Sequence, residues 1–189
     1  DLIDIGIYGI LAIILLNISA YINDWFILRK IDAPKEITED RNAGTAVVLG
    51  ASSIATGLVV SSAVSGEGGS ILTALAFWVV GQFSLILFSF LYQLITPYDY
   101  LKEIEQDNVA VGLGFAGILI AISIIINEAM FGDFPGWEKF GSDILIDLMI
   151  GIILLPLVRL LTDKVILPGK RLSYEVQGQA IPNIGAGLI

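Results

Sequence analysis

The residues that could carry chemistry are few, and what is missing decides as much as what is present. There is no cysteine and no histidine, so thiolate metal sites, nucleophilic thiols, disulfides and histidine-based acid–base catalysis are excluded. No GxSxG, Walker, HExxH or paired-cysteine pattern occurs, and the clustered carboxylates fall in polar linkers. The expectation is a protein that is not an enzyme, with no cofactor and no metal. What remains is polar chemistry at a regular spacing. Asn42, Asn108 and Asn183 each stand immediately before an apolar run, where an asparagine side chain can accept from the orphan N–H groups of a helix N-terminus. Glu39 and Glu105 stand three residues ahead of the first two, where a carboxylate suits the positive end of a helix dipole. A polar ring of these groups at the mouth of an assembly is the alternative to simple capping.

A second set of polar groups lies inside apolar segments. Gln82, Ser89 and Gln93 share one helical face and are candidates to line a polar path. Asp147 and Arg159 join them, because an ionisable residue within a membrane span is a functional candidate. The ordinary reading is interfacial, since arginine snorkels and aspartate can sit at the outer edge; pairing with another residue is a further one. The helix between them is about 18 Å long, within a hydrocarbon core about 30 Å thick. At least one of the two therefore belongs near a membrane edge.

These groups are positioned by a pattern that recurs. Adding 66 to positions in the stretch that follows Asn42 gives their mates after Asn108. Small residues fall opposite small residues at 44/110, 46/112, 50/116, 51/117, 55/121 and 57/123, and Ile54 falls opposite Ile120. A third, weaker copy opens at Asn183, 75 residues beyond Asn108, with Gly185 and Gly187 in the corresponding places. The chain therefore reads as tandem two-helix repeats over 1–66, 67–132 and 133–189, the third incomplete. In each, a descending helix is followed by a proline (Pro34, Pro97, Pro168), a polar segment and an ascending helix. All share one sense, which makes them parallel rather than inverted repeats. Ala46/Gly50, Ala51/Ala55, Gly112/Ala116 and Gly117/Ala121, with Gly44, Ala110, Gly185 and Gly187, are the expected helix-packing residues. Small side chains let helix backbones approach closely where lipid removes the hydrophobic drive. A small-residue lining for a water or ion path is the alternative.

A hydrophobic content of 56% gathered into long blocks, with mean hydropathy +0.84, exceeds what a soluble domain carries. The charge-free runs 5–23, 43–66, 68–98 and 108–127 each supply the roughly 20 residues that a helix needs to cross a bilayer. A fifth span is expected near 143–165 and the start of a sixth from 181. The fold class is thus all-α, a polytopic transmembrane helix bundle of five full spans plus the start of another. The first span lacks the basic leader and cleavage site of a secretory signal and reads as a retained helix. The segment 98–107 reads as a short helix at the membrane surface with interfacial Tyr98 and Tyr100, and 65–70 as a tight turn. The stretch 127–143 reads as a long outer loop, and Pro156 as a kink in the fifth span. With no initiator Met and an apolar run unfinished at Ile189, the chain reads as part of a longer protein. The net charge of −9 argues against nucleic acid. The expected partners are the lipid bilayer and other integral membrane subunits or copies of the same chain.

The junction of glutamate, a few polar residues, asparagine and small-residue helix, with Ile95-Thr96-Pro97 ahead of Glu105 to Gly117, resembles a known family. It is the bacterial integral membrane family called domain of unknown function 350, and the resemblance covers 28–126, and 143–189 more weakly. It implies helix pairs carrying this junction, commonly four spans, no established activity or ligand, and a suggested channel-like role. This chain departs in its third copy, where Ala180 replaces the glutamate and Glu175 lies farther upstream. Two functional readings follow: a non-catalytic structural or assembly subunit, and, as the alternative, an oligomeric channel for ions or small solutes.

Nine of the ten Lys and Arg flank the polar segments at 28–42, 98–107 and 164–179, Arg159 at the end of the fifth span among them, and only Lys139 lies on the other side. The positive-inside bias acts through such short loops. It places the N-terminus outside and all three junctions in the cytoplasm, in a bacterial inner membrane. Because the chain has no native thiol, Ser65→Cys should react with an impermeant maleimide in intact cells, and Lys35→Cys only after permeabilisation. The reverse pattern would overturn the orientation.

Overall fold

Long apolar runs become helices in lipid because a helix satisfies its own backbone N–H and C=O groups where no water can. The computed structural model describes residues 2–65 and 68–189. It contains α1 (Leu2–Phe26), α2 (Ala33–Thr38), α3 (Ala43–Val64), α4 (Ile71–Ile95), α5 (Tyr100–Glu105), α6 (Val109–Met130) and α7 (Trp137–Leu161). α7 widens into a π-helical turn at Thr162–Ile166, a second such turn spans Tyr174–Gly178, and α8 occupies Ile184–Gly187. Five helices, α1, α3, α4, α6 and Trp137–Ile166, are long and apolar enough to cross a membrane. The protein is an all-α, multi-pass membrane protein. The turn expected at 65–70 includes Gly66 and Glu67, which lie outside the described residues, as does Asp1; its last residue, Ser70, forms a capping box with Thr73 that starts α4.

The core is built on α3 and α6, the most extensively paired helices. They run in the same direction: Gly44 meets Gly112 near their first turns, and near their last turns Asn127 Nδ2 donates to Leu58 O at 3.0 Å. α1 and α4 are parallel too, with Ser19 and Asn23 of α1 bonded to Trp78 and Gln82 of α4. Phe77 of α4 stacks on Phe140 of α7 with centroids 4.1 Å apart. Close approach depends on glycine at several crossings, Gly187 of α8 against Ala110 of α6 among them. A Cβ added to Gly112 would lie 2.9 Å from Gly44 O, one on Gly151 would lie 2.8 Å from Phe88, and one on Gly81 would press into Val59. Each crossing gives dispersion contacts that a larger side chain would forbid.

The structure divides the small-residue positions into two faces. Gly44, Ala51 and Ala55 on α3 are buried, as are Ala110, Gly112 and Ala116 on α6. Ala46, Gly50, Gly117, Ala121 and Gly185 are exposed, and a Cβ on Gly50 or Gly117 would meet nothing within 4 Å. Four-residue spacing places small residues on more than one side of each helix, and not every one of those sides faces a neighbour within the chain. Other expectations also need correction. α6 runs to Met130 and α7 starts at Trp137, so the outer loop is 131–136 rather than 127–143. The polar first turns of α7 are kept helical by the Lys139–Asp143 pair at 2.6 Å, four residues apart, and by burial of Phe140 and Ile144. Tyr100 does not rest in the lipid interface: it is fully buried against Tyr92 and Phe115.

Overpacking a close helix crossing costs about 1–3 kcal/mol. Gly112→Ala should therefore lower the melting temperature of the detergent-solubilised protein. Gly50→Ala, which gains helix propensity and meets no neighbour, should not. Equal loss in both variants would refute the assignment of the two faces.

Candidate functional site

At each junction the chain must turn from a short polar helix into a span without leaving backbone donors bare at the membrane edge. Asn42 is the N-cap of α3: its Oδ1 accepts from Thr45 N at 2.7 Å, and its own N–H donates to Glu36 O at 2.8 Å. Its Nδ2 donates to Glu36 Oε2 at 2.7 Å. Asn108 repeats the set on α6, accepting from Val111 N at 3.1 Å and donating to Glu103 O and Glu103 Oε2, both at 2.9 Å. Asn183 does the same on α8 with Ala186 N at 3.2 Å, Glu175 O at 2.9 Å and Glu175 Oε2 at 3.3 Å. One asparagine thus caps the helix ahead and ties down the glutamate behind. The tied glutamates are Glu36, Glu103 and Glu175. Glu39 and Glu105, the carboxylates singled out by sequence spacing, are exposed; Glu105 contributes only its carbonyl.

The junctions are also bonded to one another in series. Asn42 Nδ2 donates to Ile104 O at 2.8 Å and Glu105 O at 3.1 Å, at the end of α5. Asn108 Nδ2 donates to Val176 O at 3.0 Å in the second π-helical turn. In return, Asp107 Oδ1 accepts from Ala43 N at 2.8 Å and Gly44 N at 3.1 Å, closing two further orphan donors of α3. Asp107 reaches them from a left-handed backbone, φ 59°, and Arg41 before Asn42 has the same conformation, φ 54°, which aspartate tolerates better than most residues. At the third junction Pro182 holds this place, and its ring fixes φ in the negative range. Asn183 is exposed, and its Nδ2 has Glu175 as its one bonded partner among the described residues. Glu36, Glu103 and Asp107 are not visible as partners from spacing alone; their shared signal is a carboxylate five to eight residues ahead of, or next to, each asparagine.

The second junction is wedged in place by α5. Tyr100, Leu101 and Ile104 are buried under the ends of the spans. Burial pushes the Tyr100 phenol up to about 12 and raises that of Tyr98, so both remain neutral at ordinary pH. At the exposed side Lys30 Nζ lies 2.7 Å from Asp99 Oδ2, and the hydrogen bond from that ammonium lowers the carboxyl below its usual range.

A second polar group lies within the spans. Asn23 Nδ2 donates to Ser52 Oγ at 2.9 Å and Thr56 Oγ1 at 2.8 Å, Gln82 Nε2 donates to Asn23 Oδ1, and Trp78 Nε1 donates to Ser19 Oγ at 2.7 Å. A cavity of about 190 Å³ adjoins it, lined in part by Asp24, Ser52, Ser53 and Thr56. Gln82 Oε1 is buried with no hydrogen-bond partner among the described residues. The residues proposed from sequence for a polar path are engaged separately. Ser89 Oγ donates to Ile86 O at 2.7 Å on its own helix, and Gln93 Nε2 to Tyr98 O at 2.9 Å. Arg159 donates to Ile95 O at 2.9 Å and Ser173 Oγ at 3.0 Å, while Asp147 is half-buried twelve residues earlier on α7. Among the described residues no cluster of His, Cys, Asp and Glu suited to a metal occurs.

Asn42→Ala removes a cap, about 1 kcal/mol, and strands the buried groups its amide served, about 1–3 kcal/mol more. Asn183→Ala at the exposed junction should cost no more than the cap. Denaturation in detergent should rank them in that order; equal small losses would show that the bonds between junctions carry no weight.

The family described as Domain of Unknown Function (DUF350) matches residues 1–64 and 67–189. A UPF0719 transmembrane protein of Aquifex aeolicus is 26% identical over 133 residues, 69% of this chain and 49% of that protein. The UPF0719 inner membrane protein YjfL of Escherichia coli K12 is 32% identical over 73 residues, 36% of this chain and 55% of that protein. The chain thus spans about half the length of the curated relatives it matches. No solved structure matches it.

Proposed function

The chain belongs to the DUF350 family, and from that premise we propose that it is a non-catalytic assembly subunit of the membrane, built of three tandem repeats, that packs laterally against other membrane proteins or copies of itself. The observation that carries this reading is the serial junction. Asn42 bonds to the end of α5, and Asn108 bonds to the next polar turn, each time through a donor surface that differs from the acceptor surface. The exposed small residues of α3, Ala46 and Gly50, offer a further close-packing surface of the kind that α3 and α6 share within the chain. Catalysis is not part of the reading, because the buried polar groups serve as caps and helix ties.

The orientation argued from the basic residues puts the junctions on the cytoplasmic side of an inner membrane, where exposed Lys164, Lys170 and Arg171 face the anionic leaflet. One observation favours a second reading, an oligomeric channel: the Asn23 cluster and its cavity gather hydroxyls and a carboxylate between α1 and α3. The same preparation separates the two. Native mass measurement after extraction in mild detergent should give multimers or a stable heteromer, and vesicles reconstituted with that species should show no ion flux above empty controls. A lone monomer under all mild conditions would sink the assembly reading, and flux would favour the channel.

A further inference from the structure

α1 stops level with the middle of the helices it packs on. Its last residue is Phe26, and Asn23, one turn earlier, is bonded to Gln82 of α4 and to Ser52 and Thr56 of α3. At about 1.5 Å per residue, Gln82 lies about 16 Å from the start of α4 at Ile71 and about 20 Å from its end at Ile95. Ser52 lies about 14 Å from the start of α3 at Ala43, and Thr56 about 12 Å from its end at Val64. The cluster therefore sits at mid-span, where a charge costs most. Asn23 O accepts from both Ile27 N at 2.8 Å and Leu28 N at 3.1 Å, which ends the helix, and the carbonyls of Asp24, Trp25 and Phe26 receive no backbone donor among the described residues. The negative end of a helix dipole is thus set at this depth. Beside it stands Asp24, an exposed carboxylate with no ion pair among the described residues. Arg29, the next basic residue along the chain, lies instead over the Phe90 ring, 4.3 Å from its centroid.

Asp24 lines the cavity of about 190 Å³ between α1 and α3 together with Asn23, Ser52, Ser53 and Thr56. This lining is rich in oxygen lone pairs and short of donors. Both Nδ2 hydrogens of Asn23 are spent on Ser52 Oγ and Thr56 Oγ1, and Ser53 Oγ spends its own on Leu49 O at 2.9 Å. Each of the three hydroxyl oxygens keeps at least one lone pair. No Lys or Arg lines the cavity, and the same network holds Gln82 Oε1 buried without a hydrogen-bond partner among the described residues. Asn23, Ser52, Thr56 and Gln82 are each more than nine-tenths buried, so packing fixes the cluster before any ligand arrives. We propose that this cavity binds an alkali-metal cation, with the Asp24 carboxylate as counter-charge and the hydroxyl oxygens of Ser52, Ser53 and Thr56 as neutral ligands. An anion would meet the carboxylate and the negative helix end with no cation to answer it. One carboxylate among neutral oxygens suits a single positive charge, whereas calcium gathers roughly six to eight oxygens, several of them from carboxylates, and magnesium demands a near-ideal octahedron. The absence of nitrogen and sulfur ligands disfavours the transition metals. The cavity has room for several waters to stay on the ion. The site lies within one chain, so it stands apart from the assembly reading and requires no conduction.

The test melts the full chain, purified in mild detergent, in sodium chloride, potassium chloride and choline chloride at equal ionic strength. Choline carries the same charge without a bare surface that oxygens can coordinate. Sodium or potassium should raise the melting temperature by several degrees over choline and should saturate with concentration, because an ion bound to the folded state alone stabilises it by mass action. Asp24→Asn should remove that dependence. Ser53→Ala, at an exposed side chain bonded to its own helix, should raise the half-saturating concentration several-fold. Glu39→Gln, at an exposed carboxylate outside the cavity, should leave it unchanged. Equal melting in the three salts would overturn the proposal and would mean that a proton, not a metal ion, neutralises Asp24. A dependence that survives Asp24→Asn would place the ion elsewhere and would overturn it too, as would saturable stabilisation by calcium or magnesium but by neither alkali ion. Should Asp24→Asn fail to fold, Ser53→Ala decides, and an unchanged half-saturating concentration in that variant counts against the site.

Discussion

The structure depends on one requirement: a helix that starts at the membrane edge must satisfy its first N–H groups in a place where water is scarce. A single asparagine amide meets it three times. Its oxygen takes a donor from the helix it starts, and its nitrogen gives hydrogens to the glutamate that precedes it. At the first two junctions the same nitrogen also reaches the next polar turn. No other side chain of that size offers an acceptor and two donors in one plane. Serine or aspartate would cap equally well but would leave the glutamate and the neighbouring carbonyl without a donor. The residue that starts each span is therefore also the residue that sets the span's position relative to the following one.

Once the N-termini of α3 and α6 are tied within hydrogen-bond distance, their backbones must pass close together for the first turns. Glycine at 44 and 112 makes that approach possible, and Gly187 against Ala110 repeats it. Farther along the pair Ala51, Ala55 and Ala116 remain buried, and Phe115 packs on Tyr92 and Tyr100 to join α6 to α4 and α5. Asn127 then closes the far end on Leu58 O. The bundle is held by polar ties at both ends of its central pair and by packing between them. That suits a solvent in which burying apolar surface supplies little drive.

Much of this was legible because the constraints are periodic. The spans follow from charge-free length, and Asn42, Asn108 and Asn183 stand out because each opens an apolar run at a repeated offset. The choice of glutamate was not legible. Glu39 and Glu105 share the same three-residue spacing to asparagine, yet Glu36 and Glu103 are the ones that turn inward, because α2 and α5 present one side to the spans and spacing alone does not say which. The small residues misled in the same manner. Ala46/Gly50 and Ala51/Ala55 are all small and share the four-residue spacing but lie on different sides of α3, and only three-dimensional placement of α6 distinguishes them. The charged start of α7 was hidden because an apolar-length criterion cannot see a helix that begins in water and is held there by Lys139 and Asp143.

The polar cluster around Asn23 is best understood from what α1 lacks. Leu15, Ser19 and Asn23 are its buried residues, and two of the three are polar. Most of the helix surface faces lipid, with Ile5, Ile10 and Ile13 more than 60% exposed. Packing therefore cannot hold α1, and four side-chain hydrogen bonds to α3 and α4 do so instead. Such bonds average about 0.6 kcal/mol each in membrane proteins, because the separated helices also find partners. Their sum is on the order of 2–3 kcal/mol by that figure, small beside the contact between α3 and α6. α1 is then the most loosely attached span, beside the face of α3 that has no neighbour. A contact that covers that face would add packing where the chain's own supply is lowest.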